Sequence, residues 1–281
     1  MKKHIKSIVI ILCLFIPTVV LGQEIVAGYS LGSGRYLLSD LKTLQEKSVK
    51  EAQKIFENYK STETFPEGLF HDAYFGIKFS IHEIGLKYDY LTSGGRNHLA
   101  DYSGEIKEDL IVSGNALGLY YKIHFLSIPL NNHFRLTAHA GIATGAIYNR
   151  IKGKHFFNLY NPKSVFGPSY YYPEGGIITM IPNYYNREFE KIDETIKFRS
   201  TNWYAQPNIG IQLGFKNTVF LNISAGYLFD NQGKLQTANE NTVNNIEDYY
   251  YSVPGKEYNV GIDWTGLRLS IGIGFAFSIA K

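Results

Sequence analysis

The sequence predicts an all-β fold, an eight-stranded antiparallel transmembrane up-and-down β-barrel with long extracellular loops and one short amphipathic helix in the first loop. Three observations lead there. The final strand candidate, Leu267 to Lys281, alternates strictly: Leu267, Leu269, Ile271, Ile273, Phe275, Phe277 and Ile279 share one face, and Arg268, Ser270, Gly272, Gly274, Ala276, Ser278 and Ala280 the other. A water-soluble β-protein would bury the aliphatic face and carry long polar side chains on its partner face. Here the partner face is almost entirely small, which suits a crowded lumen behind a lipid-solvated wall. Second, the chain opens as an export signal. Third, short turns and long segments alternate along the sequence.

The export signal has a basic stretch (Lys2, Lys3, Lys6), an apolar stretch from Ile8 to Ile16, and small residues ending at Gly22, so cleavage is expected before Gln23. The apolar stretch is short and followed by Pro17, unlike a membrane anchor. Cys13, the single cysteine, lies inside it, so the mature chain has no thiol for a disulfide, a nucleophile or a thiolate metal site. Loss of residues 1–22 removes three lysines and no acid, leaving 25 basic and 25 acidic side chains. With no basic excess, a nucleic-acid partner is not expected. No Pro/Ser-rich linker divides residues 23–281, which read as one barrel domain. No apolar run long enough for a spanning helix remains, whereas strands can still cross.

Each strand candidate has its own phase. The first, Glu24 to Leu31, places Ile25, Ala27, Tyr29 and Leu31 outward. The second, Ala73 to Ile81, places Phe75, Ile77 and Phe79 outward, and the third, Ile84 to Leu91, places Ile84, Leu86, Tyr88 and Tyr90 outward. The phase switches across His82-Glu83, as a tight hairpin requires. The fourth (Gly104 to Phe125) and fifth (Phe134 to Asn149) flank the turn Pro129-Leu130-Asn131-Asn132. The sixth, Thr201 to Phe215, turns at Lys216-Asn217 into the seventh, Val219 to Phe229, and the eighth is the C-terminal strand. Short turns follow strands two, four and six; the extracellular segments then fall near 32–72, 92–103, 150–200 and 230–263. Outward Phe79, Phe125, Phe134, Phe215, Phe275 and Phe277 mark a periplasmic girdle, and Tyr29, Tyr88, Tyr90, Tyr148, Trp203 and Tyr227 an external one.

Within the first long loop, residues 39–60 carry a helical pattern of Leu41, Leu44, Val49, Ala52, Ile55, Phe56 and Tyr59, with Ser39 or Asp40 as cap. It reads as a plug or lid, or as a partner site. Tyr170, Tyr171 and Tyr172 in the third loop and Tyr249, Tyr250 and Tyr251 in the fourth are the candidate recognition residues, because tyrosine gives amphipathic contact area at low entropic cost. Packing of the loops on one another is the alternative. The candidate lumen network is Glu83, Lys87, Asp89, Lys122, His124, Arg135, His139 and Arg268, together with the inward amides Gln206, Asn208 and Gln212. Eight strands enclose room for side chains only, so these groups are expected to pair into a plug; a narrow pore is the alternative.

No catalytic, cofactor-binding or metal site is expected. His71, His98 and His155 read as isolated histidines of external loops, and Asp101, Glu105, Glu108 and Asp109 lack the spacing of a calcium loop. Gly32-Ser33-Gly34 follows a strand without the helix N-terminus of a dinucleotide loop.

The strand-and-loop layout, Ser39-Asp40-Leu41-Lys42-Thr43-Leu44-Gln45, Thr64-Phe65-Pro66 and Asp101-Tyr102-Ser103-Gly104 resemble an uncharacterised group of Gram-negative outer-membrane β-barrel proteins. The resemblance spans the mature chain, and its motifs lie in loops and rims. It implies the barrel fold and an outer-membrane location with extracellular loops; the expected partners are outer-membrane lipid and the assembly machinery, and a monomer is expected. Such barrels often finish on an aromatic; here Phe277 is followed by Ser278-Ile279-Ala280-Lys281. The expected function is surface recognition or adhesion to an extracellular protein or glycan, or envelope maintenance. A small passive channel is the alternative, and a lipid-modifying outer-membrane enzyme a third reading.

Overall fold

The computed structural model describes residues 23–54, 57–101, 104–159, 192–216, 218–234, 236–237 and 261–278. The expected signal peptide and the last three residues fall outside that set. Eight long strands close into one ring: β1 (Gln23–Tyr36), β3 (Gly68–Phe79), β4 (His82–Asp101), β5 (Gly104–Pro129), β6 (Phe134–Leu159), β7 (Ile192–Phe215), β8 (Val219–Asp230) and β12 (Gly266–Ser278). Every neighbouring pair is antiparallel, and β1 seals the ring against β12 from Glu24↔Ser278 to Tyr36↔Gly266. Closure leaves the wall without a free edge. The first loop supplies α1 (Ser39–Gln53) and β2 (Lys60–Thr64), which pairs with β4 outside the ring. Short β9 (Gly233–Lys234), β10 (Gln236–Thr237) and β11 (Gly261–Ile262) lie at the same external end.

The phases read from the sequence hold along every wall strand. Ile84, Leu86, Leu117, Leu119, Ile142, Ile209, Ile211, Leu221, Ile223, Leu269 and Ile271 are exposed, whereas inward Glu83, Asp89, His139 and Arg268 are buried. Large aliphatics thus cover the outside and charges fill the inside. The wall faces lipid. Among the described residues no helix is long and apolar enough to cross a membrane.

The inward glycines have a packing reason. Gly28 stands opposite Tyr74, Gly32 opposite Phe70 and Gly274 opposite Phe220 on neighbouring strands, and a Cβ at any of the three would collide with that ring. Each ring therefore lies flat over a glycine, which lets an eight-stranded lumen hold aromatics as well as charges.

Several boundaries differ from the sequence reading. The first hairpin turns at Ser80-Ile81, two residues earlier than expected, with Ser80 in the left-handed region (φ 57°). Residues 92–101 are strand rather than irregular loop: β4 and β5 pair continuously out to Asp101↔Gly104. Likewise β6 and β7 pair out to Phe157↔Ile192. In both hairpins backbone pairing persists beyond the apolar band, where periodicity no longer advertises a strand. The helix ends at Gln53 rather than continuing to residue 60, because the chain turns back into β2, with Gln53 Nε2 donating to the Tyr59 carbonyl (2.8 Å). His71 and His98 belong to β3 and β4, and His155 to β6, rather than to loops. A bulge at His124/Leu126 allows both Phe125 and Leu126 to face outward near the periplasmic rim.

Ile271 lies outward near the middle of β12 and is 59% exposed, while Ser270 is inward with its Oγ 2.7 Å from Ser224 Oγ. Ile271→Arg is expected to lower the unfolding free energy in lipid vesicles by about 2–4 kcal/mol, and Ser270→Thr by much less. Denaturant titration followed by heat-modifiable migration measures both, and equal effects would reverse inside and outside.

Candidate functional site

Two polar layers fill the lumen. In the register of β3 and β4, Asp72 stands directly opposite Asp89, a like-charge pair that antiparallel strands avoid. Two cations offset it. Lys87, two residues before Asp89 on β4, places Nζ 3.3 Å from Asp89 Oδ1 and 3.9 Å from Asp72 Oδ2. Arg268 reaches from β12 across the lumen, its Nη2 donating to Asp89 Oδ1 (3.1 Å) and its Nη1 to Gln206 Oε1 on β7 (3.0 Å). Lys87 Nζ donates to that same amide oxygen (3.0 Å). The guanidinium also stacks on Phe70, 3.7 Å from the ring centroid, which gives the charge a second favourable surface.

The second layer lies toward the periplasmic end. Glu83 and Lys122 are register partners on β4 and β5, with Lys122 Nζ 3.1 Å from Glu83 Oε1, and His124 Nε2 lies 2.8 Å from Glu83 Oε2. Lys122 Nζ also sits 3.9 Å from the centroid of the Tyr74 ring. His139, opposite His124 on β6, completes the layer with ring centroids 5.8 Å apart.

Seven of the eight charged or histidine side chains named from the sequence thus meet in the barrel interior. Arg135 does not join them. It occupies the second position of β6, beside the periplasmic turn, where an inward side chain opens to solvent, and it is exposed. Asp72 was absent from the sequence reading because that reading began its strand at Ala73, although Asp72 keeps the inward phase of Phe70 and Tyr74. A cavity of about 30 Å3 borders the first layer, lined among others by Asp72, Lys87, Lys122 and Arg268. Another of about 60 Å3 opens at the periplasmic mouth beside Glu83 and Arg135. Lys122 lines the first and its ion-pair partner Glu83 the second. Each holds only a few water molecules.

Among the described residues, chain segments of the first and fourth loops pack into the external mouth. Helix α1 buries Leu41, Leu44, Gln45, Ser48 and Ala52, residues spaced by three and four, against β2, β4 and β11. The contact also carries polar bonds: Gln45 Nε2 donates to Asn97 Oδ1 (2.9 Å) and to the Glu63 carbonyl (2.7 Å), and Tyr59 OH donates to Glu108 Oε2 (2.6 Å). Asp40 Oδ2 accepts from the Gly261 amide (2.9 Å), so it ties the helix start to the returning fourth loop instead of capping its own helix.

That returning segment drops Trp264 into the mouth, fully buried. Its indole N–H donates to Asn149 Oδ1 (2.7 Å), its backbone N–H to Asp230 Oδ2 (2.9 Å), and Tyr36 packs edge-on at 5.0 Å. Asn202 Nδ2 bridges Asp230 Oδ2 and the Ile262 carbonyl. Neither Trp264 nor this amide set was named from the sequence, because the segment has no periodicity.

The acidic run of the second hairpin is also dispersed. Asp109 takes a two-pronged contact from Arg96, and Glu105 one from Lys107 (3.0 Å) and one from His98 (3.0 Å). These contacts on the extracellular extension of the hairpin hold the Glu105 carboxyl below the usual range and the Arg96 guanidinium above its own, through Lys107 and Asp109 respectively. Glu108 points inward to Tyr59. Among the described residues no group of three or more His, Cys, Asp and Glu side chains could hold a metal ion. The six loop tyrosines at 170–172 and 249–251 lie outside the described residues.

The chain is an eight-stranded barrel of the outer-membrane type. No family model and no curated protein matches its sequence. Solved structures similar to it include Ail, the attachment invasion locus protein of Yersinia pestis, in complex with the heparin analogue sucrose octasulfate, at 10% identity over 91% of this chain and 99% of that one, with a TM-score of 0.31. The N-terminal β-barrel domain of Pseudomonas aeruginosa OprF is 12% identical over 91% and 99%, TM-score 0.31. The outer membrane protein OprG of the same organism is 13% identical over 91% and 96%, TM-score 0.33.

Removing one partner of the buried bridge strands the other charge. Arg268→Gln is expected to cost about 3–5 kcal/mol of unfolding free energy, while Asp89→Leu combined with Arg268→Met recovers much of that loss. Denaturant unfolding of the two variants in vesicles checks this; a double variant no more stable than Arg268→Gln would mean that the pair is not the unit.

Proposed function

We propose that the protein is a non-conducting outer-membrane barrel whose ordered extracellular cap serves surface recognition or adhesion, or maintenance of the envelope. The observation that carries this reading is the bridge of Asp89, Arg268, Gln206 and Lys87, which joins β4, β7 and β12 across the lumen. Side chains that pair across the lumen support a closed interior in a barrel of this width, and Trp264 is buried in the external mouth above them. The mature chain therefore invests its loops rather than its lumen. The channel alternative predicts the opposite in planar bilayers. The purified protein is expected to give no ohmic conductance, and steady stepwise currents would overturn the non-conducting reading.

For recognition, the proposed contact residues are Tyr170, Tyr171, Tyr172, Tyr249, Tyr250 and Tyr251, and the proposed ligand is an extracellular protein or glycan. Binding energy concentrates in a few aromatic anchors, each costing about 2 kcal/mol or more on truncation. Replacing the six with serine is expected to abolish binding of cells displaying the protein to host glycoproteins or polysaccharides, with heat-modifiability unchanged. If wild-type cells bind nothing in that screen, the cap is structural and the envelope role stands alone.

A further inference from the structure

The outer wall carries one charge pattern that neither the lumen nor the cap uses. On β6 the outward positions beyond Tyr148 are Arg150, Lys152 and Lys154, and on β7 the outward position beyond Trp203 and Thr201 is Arg199; all four cations are exposed. The register places Arg150 directly opposite Arg199, and Lys152 opposite Lys197. Like charges facing each other across a ladder destabilise it. Among the described side chains no free acid compensates them. On the β5 side Arg150 neighbours Ser113, Lys152 neighbours Ile111, and Lys154 neighbours Asp109, which Arg96 already holds. None of Arg150, Lys152, Lys154 and Arg199 has an ion-pair partner among the described residues. In a mature chain of balanced charge, this cluster is a local choice rather than a general excess.

Its height is informative. Tyr148 and Trp203 are the external girdle residues of these two strands, and such rings mark the edge of the hydrocarbon. With a rise of about 3.4 Å per residue and a tilt of about 40°, Arg150 stands about 5 Å above Tyr148, and Lys152 and Arg199 about 10 Å above their girdle rings. The headgroup layer occupies about 5–7 Å beyond the hydrocarbon, and long cationic side chains reach down into it.

We propose that the outward face of β6 and β7 is a binding site for phosphate-bearing lipid headgroups of the outer leaflet, with Arg150 and Arg199 as a paired clamp and Lys152 and Lys154 as outer contacts. The clamp suits phosphate because two guanidinium forks supply fixed, planar donors to its oxygens. Bound phosphate also removes the repulsion that the register imposes. The proposal rests on the outer-membrane reading above.

Trp203 lies on the same strand and reports the lipid beside it, while Trp264, the other tryptophan, is sealed inside. The test is quenching of Trp203 fluorescence in phosphatidylcholine vesicles by brominated phosphatidic acid against brominated phosphatidylcholine. Wild type is expected to prefer the phosphate lipid by about fivefold or more, as one engaged cation near a membrane surface provides. Combined Arg150→Gln, Lys152→Gln and Arg199→Gln should bring the ratio close to one, with the barrel still heat-modifiable. Arg35→Gln, on the wall strand diametrically opposite β6, should leave it unchanged. An equal loss with Arg35→Gln, a preference retained by the triple variant, or abolition of the preference by millimolar inorganic phosphate would overturn the site. Absence of any lipid quenching of Trp203 would instead overturn the transmembrane reading.

Discussion

An eight-stranded ring is only as wide as the side chains that fill it, and most of this structure follows from that width. A charge on the inner face cannot retreat into bulk water, so it must find a partner across or along the wall. Asp72 and Asp89 meet Lys87 and Arg268, and Glu83 meets Lys122 and His124. Rings such as Tyr74 and Phe70 fit only because Gly28 and Gly32 face them. The same width lets side chains alone fill the lumen, without a dedicated plug domain.

The external end solves a different problem. Lipid no longer solvates the wall there, and hairpins that continue as paired strands need an inner filling of their own. Helix α1 and the segment around Trp264 provide it, held by Gln45, Asn97, Tyr59 and Glu108 on one side and by Asn149, Asn202 and Asp230 on the other. Most of these bonds join residues far apart in sequence, so the cap is fixed by tertiary contacts and not by local propensity.

What the sequence made legible was whatever lipid enforces. Period-two alternation in β12, β7 and β4 survives because each outward position must be apolar and each inward one small or polar, and turn parity follows from the same constraint. Legibility stops where that solvent stops. Residues 92–101 and 150–154 are strand segments beyond the hydrocarbon, so His98, Arg96 and Lys152 there carry no apolar signal. Asp72 was hidden by a boundary rather than by chemistry. Trp264 and Asn202 act through long-range bonds that no spacing announces, and Arg135 kept its phase while losing its burial to the barrel end.

The placement of Arg268 has a consequence for how the chain becomes a barrel. The two aspartates lie on early strands of the ring, and the guanidinium that crosses the lumen to them lies on its last strand in chain order. Until β12 docks against β1 and β8, the pair of acids has only Lys87 beside it and the ring is open. Sealing the sheet and balancing its interior are therefore one event. In the chain before β12 docks, the acids lack the guanidinium that pairs with Asp89 in the closed ring.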